Sequence, residues 1–151
     1  MELFDVSQFE LPKLSEVDWQ QTYHNVGVFL SVYQRSRERM GLPAVPQLSA
    51  MGQLNEADNQ LAYSNLNQFD RKEFENCQQC FHHGFYGIVH PFRPEVTKRR
   101  RKIFIFRYLH GLSISSVSER IHYQKNIIVS DSKMAMLQFS VALRLLVLLT
   151  D

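Results

Sequence analysis

An all-α fold ending in a helix-turn-helix is what this sequence predicts, and three observations predict it. Apolar residues recur at spacings of three and four along several segments, the period of a helix with one buried side. No stretch alternates in the manner of a strand-rich domain, and no internal repeat is present. Between about Arg99 and Leu143, a glycine, a capping serine, a short amphipathic segment, a turn residue and a longer amphipathic segment follow in order. The 151 residues are enough to bury a core, and 44% hydrophobic against 21% charged side chains argues against wholesale disorder.

The elements follow from the amino end. Residues 1–16 mix Leu3, Phe4, Phe9 and Leu11 with Glu2, Asp5 and Glu10 around Pro12, which suits an extended arm or a short helix. From about Ser15 the pattern turns helical through Trp19, Tyr23, Val26, Leu30 and Tyr33, with Ser15 or Asp18 placed to cap it. Arg35, Arg37 and Arg39 suit the negative end of its dipole, and Gly41 and Pro43 stop it. Pro43, Pro46, Ser49 and Gly52 mark a linker. A second helix is expected from about Asn55 to Phe69. A third is expected over Arg71–Val89, where Phe74, Cys77, Phe81, Phe85, Ile88 and Val89 form a stripe that Pro91 and Pro94 end. The expected organisation is an arm and helix over 1–42, a proline-bearing linker over 43–58, central helices over 59–97, and a helix-turn-helix domain with a C-terminal apolar helix over 98–151.

The last unit is the most informative. A helix over Arg99–Leu109 buries Ile103 and Phe106, Gly111 suits the left-handed residue after a helix, and Ser113 suits the next N-cap. A short helix over Ile114–Ile121 then places Val117, Ser118 and Ile121 on one side. His122 falls at the turn, where positive φ is expected and glycine is the easy choice. The recognition helix starts near Gln124, with Ile128, Ala135, Phe139 and Ala142 inward and Lys125, Asn126, Val129, Ser130 and Lys133 outward. Its first two turns are the part that meets base edges in a major groove.

Charge agrees in outline. Nine acidic and four basic side chains give residues 1–70 a charge of −5, while six acidic and thirteen basic give 71–151 a charge of +7. Such asymmetry points to a polyanion-binding end. Its densest part is Lys98-Arg99-Arg100-Arg101-Lys102, five cations at an expected helix N-terminus, where the dipole opposes them and phosphates would neutralise them.

Other chemistry finds little support. Cys77-x-x-Cys80 with His82, His83 and His90 has the donor types of a zinc site. The cysteines lie inside a helical apolar stripe, however, and read as a buried reduced pair; neither metal nor cofactor is expected. No phosphate loop, nucleophile elbow or paired-carboxylate arrangement appears, so no enzyme is expected. The acidic opening lacks a secretory start and the run Leu143–Leu149 is too short to span a bilayer, which suggests a cytoplasmic protein without a membrane partner. Met134–Leu149 reads as a helix apolar on more than one face, and a homodimer through Leu145, Leu146, Leu148 and Leu149 is expected.

These pieces resemble one family, the ArpU-like late transcriptional regulators of Gram-positive phages and prophages. Leu11-Pro12, Val17-Asp18, Val26, Leu30 and Tyr33 resemble its opening helix, and Pro43, Pro46 and Leu48-Ser49 its linker. Arg107-Tyr108-Leu109, the stretch Leu112–Tyr123, and Lys133, Ala135, Leu137, Phe139, Ala142 and Leu143 resemble its ending. The resemblance implies a C-terminal domain similar to region four of bacterial sigma factors, and control of phage late or neighbouring genes by binding double-stranded DNA. The chain departs from the family in having His122 where glycine is usual, Gln124 where serine is usual, and few cations early in the recognition helix. The expected DNA-binding residues are Lys98, Arg99, Arg100, Arg101 and Lys102 on the backbone, with Gln124, Lys125, Asn126, Ser130 and Lys133 toward the groove. The competing expectation is a protein-interaction module that grips RNA polymerase or another regulator.

Overall fold

The computed structural model describes residues 10–55 and 68–150. The first helix, α1 (Trp19–Arg39), begins where the Asp18 carboxylate accepts a hydrogen bond from the Gln21 amide, 3.1 Å away. Asp18 is thus the cap, and Ser15 falls in a 3₁₀ turn, Leu14–Glu16, ahead of it. The helix buries Thr22, Val26, Leu30, Tyr33 and Arg37, and ends before Gly41 at φ 78°. The helix expected from Asn55 lies outside the described residues except at its far end, where α2 (Gln68–Tyr86) is already under way.

Pro94 was expected to end a helix and instead opens one. It stands in the first turn of α3 (Pro94–Phe104), where a missing N–H would have been unpaired anyway. The helix expected to start at Arg99 therefore starts five residues earlier. His90 prepares the start: its Nδ1 accepts from the amides of Phe92 and Arg93 at 3.2 and 3.1 Å, while its own N–H donates to Thr97 Oγ1 at 2.7 Å. A π-helical turn, Ile105–Leu109, continues α3, followed by α4 (Ile114–Ile121) and α5 (Lys125–Ala142). Among the described residues there is no strand, only the isolated bridges Val17 to Leu148 and Leu48 to Leu54.

The main core is aromatic. Tyr33 of α1 stacks on Phe81 of α2 with ring centres 4.4 Å apart, and Phe139 of α5 meets Phe104 of α3 at 4.6 Å. Gly84 lets α2 and α5 approach, because a Cβ there would lie 2.7 Å from the Phe139 ring. A smaller cluster of Ile103, Val117 and Ile128 joins α3, α4 and α5. Residues 43–55 of the proline-bearing stretch lie on these helices: Leu54 is buried, its N–H donates to Tyr86 Oη at 3.0 Å, and Gly52 O accepts from Arg101 at 3.2 Å.

The apolar helix expected over Met134–Leu149 is formed only as far as Ala142, as the second half of α5. The last helix ends at Ala142, Arg144 takes φ 57°, and the chain then runs back along the entry to α1. The Asp18 amide donates to Val147 O and the Leu149 amide to Glu16 O, both at 2.8 Å, and Val147 N–H donates to Thr22 Oγ1 at 3.0 Å. A helix through this run would point leucines to every side, including water. The extended course seats Leu145 against the main core while pairing the backbone. Of the leucines expected at a dimer interface, Leu148 and Leu149 are exposed. Among the described residues no helix is long and apolar enough to cross a membrane.

Candidate nucleic-acid interface

Local chemistry builds the α4–α5 pair. Gly111 takes φ 70°, and Leu112 N–H reaches back to Phe106 O at 2.9 Å, closing the preceding helix end. Ser113 Oγ accepts from Ser116 N–H at 3.1 Å and caps α4, as the sequence predicted. The helix keeps the expected bounds and buries Val117 against Ile103 and Ile128. His122 closes it in the left-handed conformation, φ 61° and ψ 41°, with its N–H on Ser118 O. Ser118 Oγ donates to Tyr123 O, so the small residue also pins the turn. Gln124 is the N-cap residue of α5 by backbone position, although its side chain makes no capping bond.

The first two turns of α5 present an exposed row of Lys125, Asn126, Val129 and Ser130, with Gln124 before it. Lys133, one turn further on, leaves that row. Its Nζ lies 4.3 Å from the centre of the Trp19 ring, a cation–π contact with the start of α1. The sequence assigned Lys133 to the groove by helical phase alone; the aromatic ring that takes it up is 114 positions away in the chain.

The basic run divides by direction. Arg99 and Arg100 both pair with Asp131 of α5, Arg100 Nε at 3.0 Å from Oδ1 and Arg99 Nε on Oδ2. The Asp131 side chain is 4% exposed, and those of Arg99 and Arg100 are 19% and 16% exposed. The bond to Asp131 holds the Arg99 guanidinium above its ordinary pKa, and Arg99 also lies 4.9 Å over the Tyr123 ring. Arg101 turns inward: Nε donates to Ile88 O at 3.0 Å and Nη1 to Gly52 O at 3.2 Å, over the rings of Phe85 and Tyr86. Burial pushes its pKa down. Three of the five cations therefore stitch the fold together, which phosphates had been expected to neutralise.

Lys98 and Lys102 stand apart from that stitching. Together with Arg120, His122 and Tyr123 they line an open cleft of about 430 Å³ between α3 and the α4–α5 turn, with Ala50 and Gly52 on the far wall. Arg120 and the carboxylate role of Asp131 were not anticipated. For Asp131 a signal existed, because positions 128, 131 and 135 continue the buried stripe of α5 and a carboxylate there needs a cation. Arg120 carried no signal distinguishing it from an ordinary helix-end cation.

The cysteines differ from the expected buried pair. Cys77 is half-buried and burial raises its pKa, but Cys80, just off the stripe of Phe74, Cys77 and Phe81, is exposed. Among the described residues, no three His, Cys, Asp or Glu side chains are grouped to hold a metal ion. No protein-family model, no curated protein and no solved structure matches the chain.

Proposed function

We propose that this chain is a DNA-binding transcription regulator whose α4, turn and α5 act as a helix-turn-helix, in the manner of the ArpU-like phage and prophage regulators it resembles. The observation that carries the reading is the junction. The left-handed His122, clasped from Ser118, leads into a helix that is buried along one side and polar and exposed along its first two turns. Docked in a major groove, Asn126 would pair with a base edge, and Lys125 and Ser130 would meet phosphates and neighbouring edges. Gene control at phage late or neighbouring operons follows from the resemblance.

A pull-down of genomic fragments with the purified chain, followed by titration of the enriched duplex at several salt concentrations, tests the proposal. Asn126→Ala is expected to cost about 1–3 kcal/mol and relax discrimination at one base pair, and Lys125→Ala to lower the salt slope by about 1. Arg99, Arg100 and Arg101 are unsuitable for this test, since removing them strips buried contacts. One observation favours a second reading, a protein-interaction module that grips RNA polymerase or another regulator: with Lys133 on Trp19, Lys125 is the cation left on the exposed row of α5. Enrichment of no fragment, or binding indifferent to salt and to Lys125→Ala, would favour that module.

A further inference from the structure

The cleft beside the α4–α5 turn has a composition that the exposed row of α5 lacks. Lys98 and Lys102 are four residues apart, so they project from one side of α3; His122 and Arg120, whose guanidinium lies 5.9 Å over the Phe106 ring, line the same cleft from the end of α4. Cations lining one cleft repel one another unless anions intervene. Of the carboxylates nearby, Asp131 is taken by Arg99 and Arg100, and Glu95, which lines the cleft, makes an exposed pair with Arg93 at 3.3 Å. Among the described residues, none of Lys98, Lys102 and Arg120 has a carboxylate within ion-pair distance.

The walls are built rather than incidental. Arg99 also lines the cleft but is held at its wall, paired with Asp131 and lying 4.9 Å over the Tyr123 ring. On the opposite side the turn at 49–52 comes so near to α3 that a Cβ on Gly52 would lie 3.3 Å from Lys98 Cα, and φ 75° at that glycine disfavours any side chain. Arg101 ties the same turn down through Gly52 O. The N-terminal half of the chain thus closes a basic recess on the C-terminal half.

We propose that this recess is a seat for a phosphate group, with Lys98, Lys102 and Arg120 as its cations and the 49–52 turn as its outer wall. Ammonium groups suit a phosphate as point charges, and a guanidinium adds a planar pair of donors. The phosphate can come from the backbone of a duplex lying across the α4–α5 turn or from a free phosphorylated small molecule. The seat does not require the DNA reading to hold, although that reading would give it a natural occupant.

The full chain is titrated by calorimetry with pyrophosphate, with acetate as the control anion, and by fluorescence anisotropy with a labelled duplex. Saturable pyrophosphate binding without acetate binding is expected, weakened about tenfold in Lys98→Gln/Lys102→Gln and in Arg120→Gln, and unchanged in Lys72→Gln on exposed α2 surface. The single variant Lys102→Gln, at an exposed position, keeps the test valid if the double variant folds poorly. Displacement of pyrophosphate by the duplex would assign the seat to the DNA backbone, and its persistence beside bound duplex to a small phosphorylated ligand; both support the seat. Absence of pyrophosphate binding, or binding equal in all variants, overturns it. Absence of pyrophosphate binding together with duplex affinity that falls with Lys125→Ala would overturn the seat while leaving the helix-turn-helix reading intact.

Discussion

Replacing Asp131 by asparagine tests the central electrostatic feature of this fold. The substitution keeps the shape of the side chain and one acceptor oxygen but removes the charge that faces Arg99 and Arg100. Breaking a fully buried ion pair by removing one partner costs about 3–5 kcal/mol. Here the carboxylate is 4% exposed, but the arginines keep 19% and 16% of their side-chain surface in water. Their charges remain partly solvated after the loss, which brings the expected cost down to about 2–3 kcal/mol. Urea unfolding followed by circular dichroism measures it directly. The arginines supply an internal check. Arg99→Ala alone leaves Arg100 to neutralise the carboxylate, so the double variant Arg99→Ala/Arg100→Ala should cost more than the two singles added, with a coupling of about 0.5–3 kcal/mol. A loss below about 0.5 kcal/mol for Asp131→Asn would place the triad with ordinary surface pairs and refute the assignment of these arginines to the fold.

Three further outcomes are expected. Gly84→Ala drives a methyl to 2.7 Å from the Phe139 ring and should lower stability by about 1–3 kcal/mol; an unchanged denaturation midpoint would show that α2 and α5 can separate freely. His122→Gly removes a side chain from a left-handed backbone, φ 61°, and should raise stability by about 0.5–1 kcal/mol in the same assay, with no gain meaning that the imidazole makes compensating contacts. In alkali the fold should weaken in two stages. Burial raises the Cys77 thiol above its ordinary 9.0 and the Tyr108 phenol above its ordinary 10.0, so each contributes fully below that value and loses its contribution as pH climbs above it. Thermal midpoints across this range should fall, Cys77→Ala should remove the earlier part of the fall, and phenolate absorbance should show Tyr108 ionising only as the chain unfolds.

Much of the C-terminal half was legible in the sequence. Gly111, Ser113, the bounds Ile114–Ile121 and the left-handed turn at His122 were all expected and are all found. Each depends on interactions within about five residues, namely a cap, a helix end and an apolar stripe, so local order in the chain determines them. The stripe from Phe74 through Phe81 to Phe85 belongs with them, and the cap at Asp18 is one of the two, with Ser15, that the sequence offers. Pro94 departs from the expectation because a proline both ends one helix and opens another, and the deciding contacts of His90 and Thr97 lie beyond such a rule.

The basic run shows what composition leaves undecided. Consecutive helical residues point about 100° apart, so five adjacent cations face different surroundings, and only the packing of α3 against α5 and the 49–52 turn decides which of them meet water. Lys133 was assigned outward by phase and is taken by Trp19, and the last leucines were assigned to a helix and are paired with the entry to α1. In both cases the deciding group sits more than a hundred residues away. The sequence by itself determined where the helices of the α4–α5 pair begin, turn and end, because their backbone bonds are satisfied by near neighbours. The tertiary structure alone decided that Arg99 and Arg100 belong to Asp131 while Lys98 and Lys102 face a cleft. Charge is neutralised by whatever folds against it, and no local pattern names that partner.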